Sequence, residues 1–257
     1  MLLFGEKLNS SIPSVFEIMK NRDYEEIKRL CIAQEQAGAD YLDINTAILV
    51  EDELEVMCEI IKIAQDNTSC NIMLDSPNVE VIREAAKLVE RDLIINSITL
   101  DSRHELIDLA VEIGASLVAL PIDEYGIGET EQRVENAKKI TEICTQKGLP
   151  REKLYIDAVI ESVAVNPQAA KNAIDTVAGI KAQIDDVKTT CGLSNISFGL
   201  PKRININTAF IPAIMYAGLD SAIIDVLSPK TMDSVTASRV ITTEDEYCMG
   251  YIERFNV

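Results

Sequence analysis

The chain has 257 residues, 47% of them hydrophobic, and a formal net charge of −18 at pH 7. This composition predicts a folded protein with a large core and excludes an intrinsically disordered chain. The acidity, without any clustered stripe of cations, disfavours a nucleic-acid or anionic-membrane partner. No apolar run reaches the roughly 18 residues of a membrane span, and residues 1–10 lack the features of a signal peptide. We therefore expect a cytoplasmic protein.

The residues that usually bind metals are too few and too widely spaced in this sequence to indicate a metal site. His104 is the only histidine, and the six cysteines form no CxxC pair. A zinc site built on several histidines is therefore excluded, and neither a zinc ribbon nor a redox dithiol is indicated. We expect no metal bound by this chain, and we interpret His104 as a solvated or helix-capping residue.

Short β-rich runs alternate with helix-length segments along the whole chain. Each run opens or centres on an apolar stretch that suits a strand buried on both faces. The predicted strands are LLFGEKLN (2–9), YLDINT (41–46), NIMLDS (71–76), LIINSI (93–98), SLVALPID (116–123), LYIDAVI (154–160), KTTCGLSN (188–195) and SAIIDV (221–226).

Amphipathic helices are predicted between these strands. The phrases AGADYLDI, IGASLVAL and AGLDSAII repeat one device, in which a helix ends at glycine and a strand begins after a short turn. The predicted helices cover 23–38, 52–67, 79–90, 104–114, 130–148, 167–184, 207–218 and 228–242, with a short extra helix at 13–20.

Eight strand–helix units in this length predict a (β/α)₈ TIM barrel. A doubly wound open sheet is the alternative, but it usually has fewer units. It would also place a glycine-rich phosphate-binding loop after the first strand, where none is present. Nothing in the sequence resembles a linker, so we predict a single domain over residues 1–257.

Polar side chains occur at the carboxyl end of every predicted strand, which is where active sites of such barrels lie. Part of this polarity is explained by helix capping and contact with water. Several members, however, interrupt apolar runs such as IMLDS and LYIDAV, where burial demands hydrogen-bond partners. A pocket of carboxylates and amides suits a neutral heterocycle rich in N–H donors, whereas a phosphate would require cations or backbone nests. In strand order these residues are Glu6, Lys7 and Asn9; Asp43 and Asn45; Asp75 and Ser76; Asn96 and Ser97; Asp123; Asp157; Ser194 and Asn195; and Asp225.

Short motifs that follow one another along the chain, most of them on these strands, resemble the motifs of a known family. The set comprises FGEKLN (4–9), YLDIN (41–45), LDS (74–76), INS (95–97), LYID (154–157), GLSNIS (192–197), Arg203 and AGLDSAIIDV (217–226). It resembles the pterin-binding methyltransferase family, typified by methyltetrahydrofolate:corrinoid/iron-sulfur protein methyltransferase, over nearly the whole chain. Phe198, Gly199 and Leu200 depart from the more polar loop of that type enzyme, which bears on the corrinoid protein that this loop meets.

The resemblance implies roles for individual residues. Asp75, Asn96 and Asp157 would hydrogen-bond the pterin ring of tetrahydrofolate or 5-methyltetrahydrofolate. Asn195 would be the catalytic residue that reaches N5, where the methyl group is held. Second-line pocket positions would be Glu6, Asp43, Ser194 and Arg203, the last ranked low because an exposed loop arginine is usually only solvated.

The resemblance also implies an activity, which is methyl transfer between a corrinoid protein and N5 of tetrahydrofolate. The corrinoid would arrive on a separate, transient partner protein, and the enzyme would be a homodimer. We favour transfer from a methylated corrinoid protein to tetrahydrofolate in a demethylation pathway over transfer from methyltetrahydrofolate to a corrinoid iron-sulfur protein in acetogenesis. A non-catalytic folate- or corrinoid-binding module and a dihydropteroate synthase-like enzyme are further alternatives.

Overall fold

The structure, a computed structural model, describes residues 1–256 and contains eight parallel strands, as predicted. Their central residues are buried, which agrees with the apolar runs that predicted them. The strands are β1 (Leu2–Asn9), β2 (Tyr41–Asn45), β3 (Asn71–Asp75), β4 (Leu93–Thr99), β5 (Ser116–Leu120), β6 (Leu154–Asp157), β7 (Lys188–Thr190) and β8 (Ser221–Ile224).

A helix follows each strand, and an extra short helix lies between β1 and the helix that leads to β2. The helices are α1 (Pro13–Lys20), α2 (Tyr24–Gln36), α3 (Glu53–Asn67), α4 (Val79–Ala86), α5 (Glu105–Ile113), α6 (Thr130–Gln146), α7 (Ala169–Gln183), α8 (Arg203–Tyr216), α9 (Pro229–Ile241) and α10 (Met249–Phe255). None of the helices in residues 1–256 is long and apolar enough to cross a membrane.

The strands form one (β/α)₈ barrel, which excludes the doubly wound alternative. Their order is β7-β6-β5-β4-β3-β2-β1-β8, so β1 pairs with both β2 and β8. Within residues 1–256, β7 and β8 share one bridge, between Gly192 and Ile223. The seam between these strands is completed by Asp220, whose carboxylate accepts bonds from the Thr189 N–H (2.7 Å) and hydroxyl (3.0 Å).

The core has two layers, as expected for a barrel whose strands are buried on both faces. The inner cluster fills the barrel with Phe4, Met73, Ile94, Val118 and Tyr155. The outer cluster packs the opposite faces of the strands against the helices. This inner packing closes the lower part of the barrel, so a ligand can enter only near the carboxyl ends of the strands.

The glycine-ended helices occur where the three repeated phrases predicted them. Gly38, Gly114 and Gly218 have φ angles of 97°, 71° and 105°, a conformation that glycine adopts without a steric penalty. At the opposite helix ends, the side chains of Asp23 and Asn78 accept bonds from the first-turn amides of α2 and α4.

Several predicted boundaries were wrong, mostly around the barrel mouth. Strands β5 to β8 are shorter than their apolar runs, and GLSN forms a 3₁₀ turn (Leu193–Ser197) instead of the end of β7. The run LYIDAVI leaves the strand after Asp157 because Val159 turns the backbone with a φ of 50°. Helix α8 begins four residues earlier than predicted, at Arg203, and α10 was not anticipated.

Candidate active site at the barrel mouth

A cavity of about 510 Å³ opens at the carboxyl ends of the strands. Six of the eight family-based site residues meet there from distant parts of the chain, because parallel strands place their carboxyl ends on one rim. Its polar lining is Glu6, Asn9, Asp43 and Asp75 from β1–β3, and Ser194, Asn195 and Arg203 from the segment after β7.

Three carboxyl groups line one side of this cavity. Asp43 is almost fully buried, and its Oδ1 has no hydrogen-bond partner among residues 1–256. Burial, with the nearby charges of Asp75 and Glu6, raises the pKa of Asp43 well above its usual value. Burial also raises the pKa of Asp75 and of Glu6. Burial therefore makes each of these three carboxyl groups easier to protonate than a solvated one.

Asp75 is oriented by its neighbour on β2. The Asn45 amide donates to Asp75 Oδ2 over 2.7 Å, and this bond lowers the pKa of Asp75 against the larger effect of burial. The other carboxylate oxygen is not bonded to Asn45 and can accept from a ligand. Asn45 therefore sets which edge of the Asp75 carboxylate faces the barrel mouth.

Asn96 and Asp157 adjoin Asp75 but do not line the 510 Å³ cavity itself. Asn96 pairs with Asp75 in the β3–β4 register, and the partner of its buried amide is the weak acceptor Met73 Sδ at 3.9 Å. Asp157 Oδ1 accepts from the Val159 N–H over 2.7 Å. Burial raises the pKa of Asp157 to about 6, and the charge of Asp75 adds to this effect.

Asn195 lies on the 3₁₀ turn that follows β7, and its side chain is exposed at the cavity. Two contacts hold the turn: Ser194 Oγ donates to Glu6 over 2.9 Å, and the Arg203 guanidinium donates to the Ser194 carbonyl over 2.5 Å. Within residues 1–256 the Asn195 amide makes no side-chain hydrogen bond, so it remains available to a ligand. Gly192 leaves it room, since a Cβ there would lie 3.0 Å from Asn195 Nδ2.

Arg203, which the resemblance gave as a low-ranked pocket position, is exposed but lines the cavity. It is the first residue of α8, and its Nε donates to Ser197 Oγ over 3.1 Å. Its guanidinium also lies over the Phe198 ring, 5.7 Å from the centroid. These contacts show that Arg203 supports the turn that carries Asn195 while also lining the cavity.

Three further rim residues, Asp123, Asp225 and Ser76, have local partners, but none of them caps the helix that follows its strand. Asp123 accepts from the Asn136 amide, and Asp225 forms an ion pair with Lys7 over 2.8 Å. Ser76 donates to Glu53 of α3. His104 does not cap α5, since its Nε2 lies 2.8 Å from the Leu100 carbonyl oxygen.

Sequence reasoning missed two charged residues near Asp75. Arg103 lies 3.4 Å from the Ser76 carbonyl, and its charge lowers the pKa of Asp75. Glu53 accepts from Ser76 and raises that pKa. Both occur in polar segments at helix starts, where the sequence signal is the same as that of a solvated surface. In residues 1–256 no three His, Cys, Asp or Glu side chains are grouped as metal ligands.

Sequence comparison identifies relatives of this chain. The family model described as pterin binding enzyme matches residues 5–225. A methylcorrinoid:tetrahydrofolate methyltransferase of Eubacterium limosum is 31% identical over 99% of this chain and 96% of that protein. A methionine synthase of Mycobacterium leprae is 31% identical over 87% of this chain but only 20% of its own length.

Solved structures share the fold. A dihydropteroate synthase of Coxiella burnetii, in complex with pteroic acid, superimposes with a TM-score of 0.71 at 14% identity, covering 95% of this chain and 94% of that chain. The enzyme from Yersinia pestis, with a pterine-sulfa conjugate, gives 0.68 at 12% identity, covering 94% of both chains. At this identity the similarity shows the fold alone.

Proposed function

The chain belongs to the family of pterin-binding enzymes, and from this premise we propose that it transfers a methyl group from a methylated corrinoid protein to N5 of tetrahydrofolate. The similarity to the Eubacterium limosum methyltransferase, which extends over nearly the full length of both proteins, supports this activity. Similarity to dihydropteroate synthases supports the fold alone.

The observation that carries the proposal is the pairing of a carboxylate-rich pocket with an unengaged amide above it. The amino and ring N–H groups of a pterin are donors that Asp75 and Asp157 would accept, and Asn96 can meet its carbonyl or ring nitrogens. Asn195 lines the same cavity as Asp75, from the turn after β7, and its amide is free of side-chain bonds among the described residues. This arrangement would hold the ring with N5 beneath Asn195.

The proposed reaction is a displacement at carbon. The N5 lone pair attacks the methyl carbon, the bonding pair of the cobalt–carbon bond remains on cobalt as Co(I), and N5 releases its proton. Asn195 suits this step because its amide can accept from N5–H before transfer and donate to N5 in the reverse direction without changing charge. The chain's contribution is mainly the orientation of the ring, which accounts for several kcal/mol of a barrier in such reactions.

A transient corrinoid protein is the proposed partner, and the loops at the mouth offer it a surface. We define the mouth patch as the exposed apolar side chains of Val50, Tyr125, Val165 and Phe198. They come from the loops after β2, β5, β6 and β7, and Phe198 also lines the cavity. The cobalt atom can reach N5 only if the corrinoid protein covers the rim of the cavity. The mouth patch therefore lies beside the surface that the corrinoid protein must contact.

A spectroscopic assay tests the activity. The protein is mixed with tetrahydrofolate and either methylcobalamin or a methylated corrinoid protein, and the visible spectrum of the corrinoid follows loss of the methyl group. We expect Asn195→Ala to reduce turnover by about 100-fold. Asn205→Ala, the same substitution at an exposed position of α8, should retain the wild-type rate.

The assay also separates the alternatives. Absence of demethylation with every carrier, despite folate binding, would support a non-catalytic binding module. Faster reaction from methyltetrahydrofolate to Co(I) than in reverse would support the acetogenic direction. Equal rates for Asn195→Ala and Asn205→Ala would remove Asn195 from the mechanism.

A further inference from the structure

Arg133 is a buried charge outside the set of residues that line the cavity. It lies on α6, is 1% exposed, and donates to four acceptors. Nε donates to the Gly128 carbonyl (2.7 Å), Nη1 to the carbonyls of Ala158 (3.1 Å) and Val159 (2.9 Å), and Nη2 to Glu161 Oε2 (2.8 Å). The acceptors belong to the loops after β5 and β6, so one side chain joins two neighbouring loops at the barrel mouth.

Two of the carbonyls that accept from Arg133 belong to the turn that orients Asp157. Val159 has a φ of 50°, a conformation that β-branched residues rarely adopt and that surrounding contacts must hold in place. Its N–H donates to Asp157 Oδ1 over 2.7 Å, while its carbonyl accepts from Arg133. The same residue therefore connects the guanidinium to the carboxylate.

We propose that Arg133 is a positioning residue for Asp157: it fixes the Ala158–Val159 turn, so that the Val159 amide holds the Asp157 carboxylate in one orientation toward the pterin. Asp157 itself would touch the ligand, and Arg133 acts only through the turn. The planar guanidinium suits this task, because it bonds several fixed acceptors at once in a way that a lysine ammonium cannot match.

The turn fixed by Arg133 is also tied to the segment that carries Asn195. Ser162 Oγ donates to the Phe198 carbonyl over 2.6 Å, and Val163 N–H donates to the Ile196 carbonyl over 3.0 Å. The loop after β6 thus lies between Asp157 and the Asn195 turn and contacts both. Loss of the Arg133 contacts should therefore loosen the pocket on the pterin side and, to a smaller extent, on the N5 side.

The electrostatics agree with this geometry. The Val159 amide and the Arg133 charge both lower the pKa of Asp157, against burial and the Asp75 charge. The other titratable group near Asp157 is the Cys191 thiol after β7, whose pKa is raised by burial and by Asp157. Without Arg133, the pKa of Asp157 should rise, and a larger fraction of the carboxyl would be protonated near neutral pH.

Tetrahydrofolate binding tests the inference, which rests on the proposed function only for the identity of this ligand. Calorimetry between pH 5.5 and 8.5 would compare wild type with Arg133→Met and Arg133→Lys. Arg91→Met is the matched control, because Arg91 also donates to three backbone carbonyls, those of Gln65, Thr68 and Cys70, at the opposite end of the barrel. Both methionine variants lose a guanidinium that bonds backbone carbonyls, but only Arg133 bonds the turn beside Asp157.

We expect Arg133→Met to weaken binding at pH 7 by about tenfold or more and to raise the pH midpoint of binding by about one unit. Arg133→Lys should recover part of both effects, and Arg91→Met should lower only the melting temperature. Unchanged affinity and midpoint in Arg133→Met, or equal losses in the two methionine variants, would overturn the proposal. If Arg133→Met does not fold, Arg133→Lys and Glu161→Gln decide by the same criteria.

A ligand-free measurement separates this proposal from the proposed function. Carboxyl carbon NMR would titrate Asp157 in the unliganded wild type and in Arg133→Lys. Failure of the wild type to bind tetrahydrofolate would count against the proposed function alone. Identical Asp157 titration curves in the two proteins would count against the role of Arg133, whatever the ligand.

Discussion

At the scale of single residues, the ionised carboxylate of Asp157 lowers the stability of the ligand-free protein. Its pKa is raised from 3.8 to about 6 by burial, so the folded protein holds this proton more tightly than the unfolded chain does. The contribution of this carboxyl to stability is therefore fully present below about pH 4 and is lost as the pH rises through about 6. Relative to pH values below 4, the ionised group should oppose folding at pH 8 by about 3 kcal/mol.

Asp157→Asn should remove that cost. The amide oxygen can still accept from Val159, so we expect the ligand-free variant to gain about 1–2 kcal/mol in free energy of unfolding at pH 8 and little at pH 4. Tetrahydrofolate binding should weaken, because the ring donors lose a charged acceptor. Urea titrations at the two pH values, with calorimetry, measure both effects. A variant that is less stable at pH 8 would show that the ionised carboxylate is already stabilised by its surroundings.

The residue types in the sequence predicted the carboxylates that line this site, but not the side chains that hold them in place. A carboxylate inside an apolar run, as in LYIDAV, indicates a buried polar group that needs a partner. Arg133 gives no such signal, because its context, TEQRVENAKK, has the composition of a solvated helix face. Three of the four acceptors of its guanidinium are backbone carbonyls, which have the same chemistry at every residue and leave no trace in the sequence.

At the scale of elements, the 3₁₀ turn after β7 decides where Asn195 points. Gly192 precedes this turn with a φ of −79°, which any residue can adopt. The constraint is space, since an added Cβ would lie 3.0 Å from the Asn195 amide nitrogen. The chain thus uses glycine here for the room that it leaves beside a side chain.

Gly192→Ala should therefore displace Asn195 without unfolding the barrel. We expect a turnover about tenfold lower, tetrahydrofolate affinity close to wild type, and a stability change within about 1 kcal/mol. Gly250→Ala on α10 is the control, because its Cβ would have ordinary contacts of 3.5 Å or more. Steady-state kinetics with methylcobalamin would measure the effect; a wild-type turnover in Gly192→Ala would mean that Asn195 tolerates the shift or is not used.

The sequence predicted a strand through Asn195, and the reason for that error is physical. Cys191, Leu193 and Ile196 are buried, so the segment has the apolar content of a strand. The N–H groups of Asn195 and Phe198, however, bond within the turn to the carbonyls of Gly192 (3.2 Å) and Asn195 (3.0 Å), not to a neighbouring strand. Burial of a loop by neighbouring loops gives the same pattern as burial in a sheet, and short runs cannot separate the two.

At the scale of the whole molecule, the repeated strand–helix pattern was sufficient to predict the barrel. Eight such units leave few arrangements that bury every strand on both faces, and the closed ring is one of them. What the repeats could not predict is which rim loops expose apolar groups, since exposure depends on how the loops fold over one another.

The mouth patch should matter only when a protein delivers the corrinoid. We expect Tyr125→Ser and Val165→Ser to lower the rate with a methylated corrinoid protein by about tenfold, while the rate with free methylcobalamin stays within about twofold of wild type. Tyr216→Ser, an equally exposed aromatic position at the end of α8 away from the mouth, is the control. Parallel losses with both methyl donors would place the defect in the pocket instead of the docking surface.

The way in which the ring of strands closes has a consequence for how activity is lost under stress. At the seam between β7 and β8, a single bridge just after β7 and the side chains of Asp220 and Ser221 replace the continuous ladders of the other strand pairs. Opening at this seam costs less than global unfolding, so its amides should exchange with deuterium first. Because only two residues separate β7 from the Asn195 turn, low urea should abolish methyl transfer while circular dichroism still reports an intact barrel. The enzyme would then fail as a catalyst before it fails as a fold.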